Sequence, residues 1–200
     1  MSASRRRRQG PVGVVLAGGA GRRLGGDKAV VALDGRPLLD YPLQALRVAV
    51  GDVAVVAKRD TALPPLDAKV AVWLEPDEPR HPMAGVVRAL RAAGGRAVLA
   101  VAVDVPFVGP GLLRRLATAP AGRALAVAPR AEGRLQPLCA RYEPGALAAL
   151  TGFDARERAT DLLERLDPVV LDVDDADAFL NVNAAEDLLR ASALLRVREP

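Results

Sequence analysis

Short apolar runs alternate with amphipathic stretches over the first 120 residues, a pattern typical of strands that alternate with helices. The apolar runs predict strands at residues 12–16, 52–57, 69–74 and 97–103. Leucine and valine at helical spacing predict helices at residues 37–49, 83–93 and 111–119. This alternation favours an α/β fold with three layers, in which helices cover both faces of a mostly parallel, twisted sheet.

The pattern is less regular after residue 120. Strands are predicted at residues 125–128, 136–141 and 169–173, and helices at residues 145–150 and 160–166. A last helix is predicted to open at Asn183 and to run towards Leu195. Because neither an internal repeat nor a change of composition marks a linker, we expect one domain over residues 12–200 after a disordered basic tail of residues 1–11.

Composition narrows the class of protein. Apolar residues make up 50% of the chain but aromatic residues only 3%, so the core must be built from alanine, valine and leucine. Few rings are available for stacking on single-stranded nucleic acid. The formal net charge of +4 equals the charge of the four consecutive arginines from Arg5 to Arg8, so the basic character belongs to the tail. We expect a solvated tail and no nucleic-acid partner, with contact between the tail and a polyanion as the alternative.

The number of cysteines and the length of the apolar stretches indicate the cellular compartment. Cys139 is the single cysteine, which excludes an internal disulfide and fits a reducing cytoplasm. The longest apolar stretches, such as residues 97–103, are far shorter than the ~20 residues that span a bilayer. We therefore expect a cytoplasmic protein with no membrane contact.

A glycine-rich segment with three cations follows the first predicted strand directly, over residues 16–28; we call it the glycine loop. It is not a P-loop, because Gly-Lys followed by Ser or Thr is absent, and Leu24 stands where the dinucleotide fingerprint needs its last glycine. Glycines let backbone amides approach triphosphate oxygens, and Arg22, Arg23 and Lys28 add positive charge. Ligands of open α/β sheets bind beyond the carboxyl ends of strands. The segment therefore predicts a phosphate-binding loop, against the alternative of a flexible connection.

Asp104 follows the most strand-like run and precedes Val105-Pro106. A carboxylate at the end of a buried strand is costly unless it meets a cation or donors. Magnesium prefers one or two carboxylates together with substrate phosphates and water, so Asp104 is a candidate ligand. An aspartate that caps the following turn is the alternative, and the residues alone leave both open.

Two further segments carry polar residues of interest. Asn183 and Glu186 have the spacing of a capping box, which explains Asn183 but not Asn181. His81 is the only histidine, and we expect it to be solvated in a loop.

Together these residues resemble the molybdenum cofactor guanylyltransferases. The glycine loop is similar to their signature at Leu16 to Gly19, Arg23, Gly25 and Lys28. Residues 179–183, Phe-Leu-Asn-Val-Asn, resemble the family's Phe-Val-Asn-Val-Asn motif. The resemblance is weaker at Asp104, which matches an Asp-x-Pro, and at residues 81–85, where His81 replaces a glycine.

The resemblance implies a nucleotide-diphospho-sugar transferase fold, with nucleotide binding over residues 12–120 and acceptor binding over residues 121–195. It implies that Arg23 and Lys28 hold phosphates and that Asp104 binds Mg²⁺, these three being the catalytic residues. The other implied nucleotide-binding residues are Leu16, Ala17, Gly18, Gly19, Glu75 and Gly85, with Asp77 as a competitor of Glu75. The implied acceptor-binding residues are Asn181, Asn183 and Gln136, the last in place of a family histidine.

The implied activity is transfer of GMP from GTP to molybdopterin, with release of pyrophosphate. Implied partners are these two substrates and possible contacts with other proteins of molybdenum cofactor biosynthesis. Related cytidylyltransferases read Leu-Ala-Ala-Gly where this chain has Gly18, which favours guanine. The alternatives are a small nucleotidyltransferase with another phosphorylated acceptor, or a nucleotide-binding protein without catalysis.

Overall fold

The structure, a computed structural model, describes residues 10–18 and 28–198. Its strands are β1 (Val12–Leu16), β2 (Ala32–Leu33), β3 (Arg36–Pro37), β4 (Val53–Ala57), β5 (Ala71–Leu74), β6 (Val98–Ala102), β7 (Ala126–Ala131), β8 (Arg134–Leu135), β9 (Cys139–Tyr142) and β10 (Val169–Asp172). Its α-helices are α1 (Asp40–Val50), α2 (Pro82–Ala92), α3 (Pro110–Thr118), α4 (Ala146–Leu150), α5 (Ala159–Glu164) and α6 (Ala185–Arg198). Short 3₁₀ helices cover Lys28–Val30 and Ala176–Phe179.

Eight strands form the central sheet in the order β10-β7-β9-β6-β1-β4-β5, with β8 beside β7. β1 pairs in parallel with β4 and β6, so that Val15 lies opposite Val55 and Val101. β9 runs antiparallel between β6 and β7, and β10 returns to a parallel pairing with β7. The chain moves to one side of β1 to form β4 and β5 and then crosses to the other side to form β6. This change of direction opens a crevice at the carboxyl end of β1.

Successive residues of the central strands pack into two separate cores, because side chains alternate between the faces of a sheet. Val15 belongs to a cluster with Leu46 of α1 and Leu116 of α3. Val14 belongs to a cluster on the opposite face with Val86 of α2 and other residues of α4 and α5. The predicted three-layer α/β class is therefore confirmed.

Two predicted elements begin three residues later than expected, in each case after a short hairpin. The helix predicted from residue 37 begins at Asp40, because residues 36–37 pair with β2 around a turn with positive φ at Asp34 and Gly35. The strand predicted from residue 136 begins at Cys139, whose N–H closes a turn on the carbonyl of Gln136 at 3.0 Å. Residues 134–135 instead form β8, an antiparallel partner of β7.

Arg141 places a charged side chain inside the fold. Arg141 on β9 is only 5% exposed. Its guanidinium donates to the carbonyl oxygens of Leu116, Ala117 and Ala119 at 2.7–2.8 Å and pairs with Glu143 at 2.8 Å. These carbonyls belong to the last turn of α3, where a helix has no internal donors left. Arg141 therefore caps α3 and fixes it against the sheet.

Among the residues that the structure describes, no helix combines the length and the apolar character needed to cross a membrane. The predicted disorder of the basic tail is not tested, since residues 1–9 lie outside the described part of the chain.

Candidate active site

A cleft of about 450 Å³ opens at the carboxyl ends of β1, β4 and β6. Each of these strands contributes the residues that follow it, as expected at the crevice of an open parallel sheet. Its lining includes Leu16, Gly18, Lys28, Lys58, Glu75, Gly85, Val103 and Asp104. We call this the first cleft.

Lys28, Asp104 and Asn183 converge at the edge of the first cleft. The Nζ atom of Lys28 lies 2.7 Å from Oδ2 of Asp104 and also donates to Oδ1 of Asn183. The side chains of Lys28 and Asp104 are 13% and 19% exposed. The N–H of Val182 donates to the carbonyl oxygen of Asp104 at 2.8 Å, which fixes the Asn-Val-Asn segment against the end of β6. Three distant parts of the sequence thus meet in one polar cluster.

Glu75 presents a carboxylate in the interior of the first cleft. Its side chain is only 8% exposed, and its ion pair with Lys58 spans 3.6 Å between Oε1 and Nζ. Burial raises the pKa of the Glu75 carboxyl above its ordinary value, and the charge of Lys58 opposes that rise. Asp77, the competing candidate, is exposed and contributes only its carbonyl oxygen, to Lys58.

Two glycines make room for the Glu75 carboxylate. A Cβ at Gly85 would lie 3.1 Å from Oε2 of Glu75, tighter than ordinary contact. A Cβ at Gly18 would overlap Oε1 outright. Gly18 and Gly85 therefore allow the carboxylate to lie against the backbone on either side of it.

A second cleft, of about 660 Å³, lies beside the β7–β8 hairpin. Gln136 and Asn181 both line it, together with the cationic side chains of Arg134 and Arg158. The structure thus brings two of the predicted acceptor residues into one cavity. The third, Asn183, lies instead against Lys28. The segment of residues 181–183 connects the two clefts.

Residues 13–169 match the family model of the MobA-like NTP transferase domain. The chain belongs to this family. It is 39% identical to a molybdenum cofactor guanylyltransferase of Cereibacter sphaeroides, over 92% of this chain and 96% of that protein. The structure of molybdopterin-guanine dinucleotide biosynthesis protein A from Archaeoglobus fulgidus superposes with a TM-score of 0.71 at 25% identity, covering 93% of this chain and 99% of that one.

A second solved structure is 2-C-methyl-D-erythritol 4-phosphate cytidylyltransferase from Thermus thermophilus, with a TM-score of 0.68 at 26% identity over 94% of this chain and 99% of that one. The resemblance drawn from the sequence and the nucleotide-diphospho-sugar transferase fold are both confirmed. As a MobA-like NTP transferase, the chain belongs to a nucleotidyltransferase class of enzymes.

The predicted nucleotide-binding residues of the glycine loop do not all line the first cleft. Leu16 and Gly18 line the first cleft, whereas the side chain of Ala17 is buried in the core and its N–H donates to the carbonyl of Val56 at 2.8 Å. Gly19 and Arg23 lie outside the described residues.

Asp187 carries out the capping that the sequence assigned to Asn183 and Glu186. Its Oδ2 accepts the N–H groups of Asn183 and Ala184 at 2.8 and 2.9 Å. The predicted capping box is therefore wrong, and the side-chain oxygen of Asn183 is used by Lys28 instead.

His81 is half-buried and caps α2, so the expectation of a solvated ring is wrong. Its Nδ1 accepts the N–H of Met83 at 3.2 Å, and Nε2 lies 3.0 Å from the carbonyl oxygen of Glu157. Since Nδ1 accepts, Nε2 must carry the proton in this arrangement. The ring also packs on Phe153, with 4.8 Å between centroids.

Asp104 could offer one carboxylate to a divalent metal that is also held by substrate and water. Within residues 10–18 and 28–198, no group of three or more His, Cys, Asp or Glu side chains has the arrangement of a metal site. Magnesium typically takes one or two carboxylates and completes its shell with substrate phosphates and water. A single partly exposed carboxylate at the edge of a cleft is consistent with that mode.

Sequence reasoning missed Lys58. It directly follows β4, at the same edge of the sheet as the glycine loop and Asp104. A cation at the carboxyl end of the neighbouring parallel strand was the available signal. Its partners, residues 75–77, could not be known from the sequence.

Proposed function

We propose that this chain transfers GMP from GTP to molybdopterin and releases pyrophosphate. The observation that carries the proposal is the meeting of Lys28, Asp104 and Asn183, which joins the glycine loop to the Asn-Val-Asn motif at one point. The relative from Cereibacter sphaeroides, named molybdenum cofactor guanylyltransferase and matched over nearly its whole length, supports this activity.

GTP would occupy the first cleft. Leu16, Gly18, Glu75 and Gly85 line its interior and would surround the nucleoside. Gly19 and Arg23 continue the glycine loop and, with Lys28, would bind the phosphates. Alanine at position 18, as in related cytidylyltransferases, would overlap the Glu75 carboxylate, which supports guanine over cytosine.

Molybdopterin would occupy the second cleft. Gln136 and Asn181 offer amide donors and acceptors there, and Asn183 lies between this cavity and Lys28. The acceptor part of the chain, residues 121–195, would then supply this cleft, and residues 12–120 the nucleotide site.

The chemistry would be an in-line displacement at the α-phosphorus of GTP. An oxygen of the acceptor's phosphate forms a bond to that phosphorus while the bond to the bridging oxygen of pyrophosphate breaks. No general base is required, because the attacking phosphate is already ionised. The work of the protein is positioning and neutralisation of charge, and Lys28 and Arg23 would bind the phosphates. Asp104 would hold Mg²⁺, whose chemistry is to neutralise phosphate oxygens.

The test is pyrophosphate release by the purified chain from each of GTP, CTP, ATP and UTP, with molybdopterin and Mg²⁺. We expect release with GTP and a product that contains one guanine per pterin by mass. Pyrophosphate release from GTP in the presence of another phosphorylated acceptor, but not in the presence of molybdopterin, would contradict the proposal. The dependence on Mg²⁺ is checked by chelation followed by titration with Mg²⁺ and Ca²⁺.

A further inference from the structure

The ammonium group of Lys58 contacts one short segment of the chain. Its Nζ donates to the carbonyl oxygens of Pro76 and Asp77 at 3.0 and 3.1 Å and lies 3.6 Å from Oε1 of Glu75. The side chain is only 18% exposed, so water screens these contacts weakly. Lys58 therefore joins the end of β4 to residues 75–77, the segment that carries the buried carboxylate.

We propose that Lys58 is a positioning residue for recognition of the guanine base. It would hold the Glu75 carboxylate ionised and in place at the interior of the first cleft. The inference rests on the proposed function, because it assumes that a guanine nucleotide occupies this cleft.

The chemistry of the carboxylate selects the base. Two carboxylate oxygens accept two adjacent N–H groups, and the Watson–Crick edge of guanine offers N1–H and N2–H₂ side by side. The corresponding edges of adenine and cytosine place an acceptor nitrogen beside a single amino group, and this acceptor would face a carboxylate oxygen unfavourably. An ionised Glu75 thus favours guanine, and a protonated one loses an acceptor.

The partners of Lys58 distinguish its task from that of Lys28. Lys28 contacts Asp104 at the edge of the cleft, whereas Lys58 contacts residues 75–77. Burial disfavours the charged form of Glu75, and the neighbouring ammonium is the cation that offsets this. Loss of Lys58 should therefore affect the base and leave contacts to the triphosphate unchanged.

Affinity for Mg-GTP and Mg-ITP, measured by calorimetry at neutral pH, tests this inference. Hypoxanthine, the base of ITP, differs from guanine only in lacking the 2-amino group. The ratio of the affinities for GTP and ITP therefore reports on the contact between this amino group and Glu75. In Lys58→Met we expect binding of Mg-GTP to weaken about tenfold or more, binding of Mg-ITP to weaken less, and the ratio to fall. Lys69→Met is the matched control, since Lys69 is exposed and lies outside the first cleft; it should bind both nucleotides like the wild type.

A double-mutant cycle with Glu75→Gln separates positioning from a merely structural effect. If Lys58 acts through Glu75, adding Lys58→Met to Glu75→Gln should change the GTP-to-ITP ratio very little. The inference would be overturned if Lys58→Met lowered the GTP-to-ITP ratio equally in the wild type and in Glu75→Gln. It would also be overturned if Lys58→Met bound both nucleotides with wild-type affinity. Lys58→Gln, whose amide retains a donor for one carbonyl, replaces the methionine variant if that one unfolds.

The two proposals fail in distinguishable ways. Tight Mg-GTP binding without GMP transfer to molybdopterin would contradict the proposed function but would not affect the role proposed for Lys58. GMP transfer to molybdopterin together with a GTP-to-ITP affinity ratio that does not depend on Lys58 would contradict the role of Lys58 alone. Absence of GTP binding by the wild type would overturn both.

Discussion

At the scale of single residues, Asp104 is a partly buried carboxylate that contacts one cation and also lines the first cleft. Lys28 holds Oδ2 at 2.7 Å, and the carboxylate still lines the first cleft. A carboxylate so placed can serve both a protein cation and a metal bound with the substrate. Charge removal without change of shape is therefore the informative substitution.

We expect Asp104→Asn to lower kcat by about two orders of magnitude or more, because preorganised charge in a reaction site contributes on this scale. Steady-state pyrophosphate release is the measurement, and an unchanged urea midpoint should show that the fold is retained. Asp60→Asn, which removes an exposed carboxylate from the lining of the same cleft, should keep kcat near the wild-type value. Equal losses in the two variants would mean that the cleft responds only to net charge.

The raised pKa of Glu75 makes stability depend on pH in a defined direction. Burial is the main cause, so the folded state binds a proton more readily than the unfolded state, whose carboxyl has the ordinary value near 4.5. From about that pH up to the raised pKa, the free energy of unfolding contributed by Glu75 falls as pH rises. Below this window both states are protonated and the contribution is constant.

Glu75→Gln should therefore gain stability relative to the wild type as pH rises through that window, measured by urea unfolding at a series of pH values. Its affinity for Mg-GTP should fall at neutral pH, since one acceptor oxygen is lost. Asp77→Asn, at an exposed position, should follow the wild type in both measurements. A stability difference that decreases with pH would contradict the assigned direction.

At the scale of elements, the end of α3 depends on one buried guanidinium. Arg141→Leu should lower the free energy of unfolding by about 3 kcal/mol, because three helix-terminal carbonyls and Glu143 lose their donor inside the protein. Urea unfolding measures this. Arg130→Leu is the control: its ion pair with Asp172 is exposed, and the midpoint should change little. A similar loss in both variants would mean that the effect of Arg141→Leu does not come from the capping of α3.

The long apolar strands could be predicted from the sequence, and the short hairpins could not. β1, β4 and β6 are buried on both faces, so they appear as continuous apolar runs. β2, β3 and β8 have two residues each, too few for a period to show. Their turns, with positive φ at Asp34 and Glu132 before a glycine, decide where α1 and β9 begin.

The parts of the candidate site that could be predicted from the sequence are those in which the functional residues lie within one segment. The sequence predicts a phosphate-binding loop from the glycines and cations that follow the first strand. It makes Asp104 a candidate ligand because that residue ends a buried strand, and the family resemblance favours this role over a turn cap. The contact of Lys28 with Asn183 joins residues 155 positions apart, and no local pattern encodes it. The burial of Glu75 likewise depends on Gly18 and Gly85, which come from two other segments.

At the scale of the whole molecule, strand direction places both clefts at one edge of the sheet. β7 runs parallel to β6 because the antiparallel β9 lies between them, so their carboxyl ends face the same way. The first cleft lies beyond β1, β4 and β6, and the second beyond β7. In the proposed reaction, the donor nucleotide and the acceptor would therefore approach each other across the Asn-Val-Asn segment.

Because such a nucleotide would contact three strand ends and the glycine loop, its binding should stabilise the fold as a unit. Mg-GTP at about 100 times its Kd should add about 2.7 kcal/mol to the free energy of unfolding. For a chain of this length that corresponds to a rise in Tm of about 5 to 10 °C, measured by calorimetry. Mg-CTP at the same concentration should give a much smaller rise. Gly18→Ala, whose methyl group would displace the Glu75 carboxylate, should lose most of the response to Mg-GTP. An equal rise with both nucleotides in the wild type would mean that the first cleft binds phosphates and does not discriminate between bases.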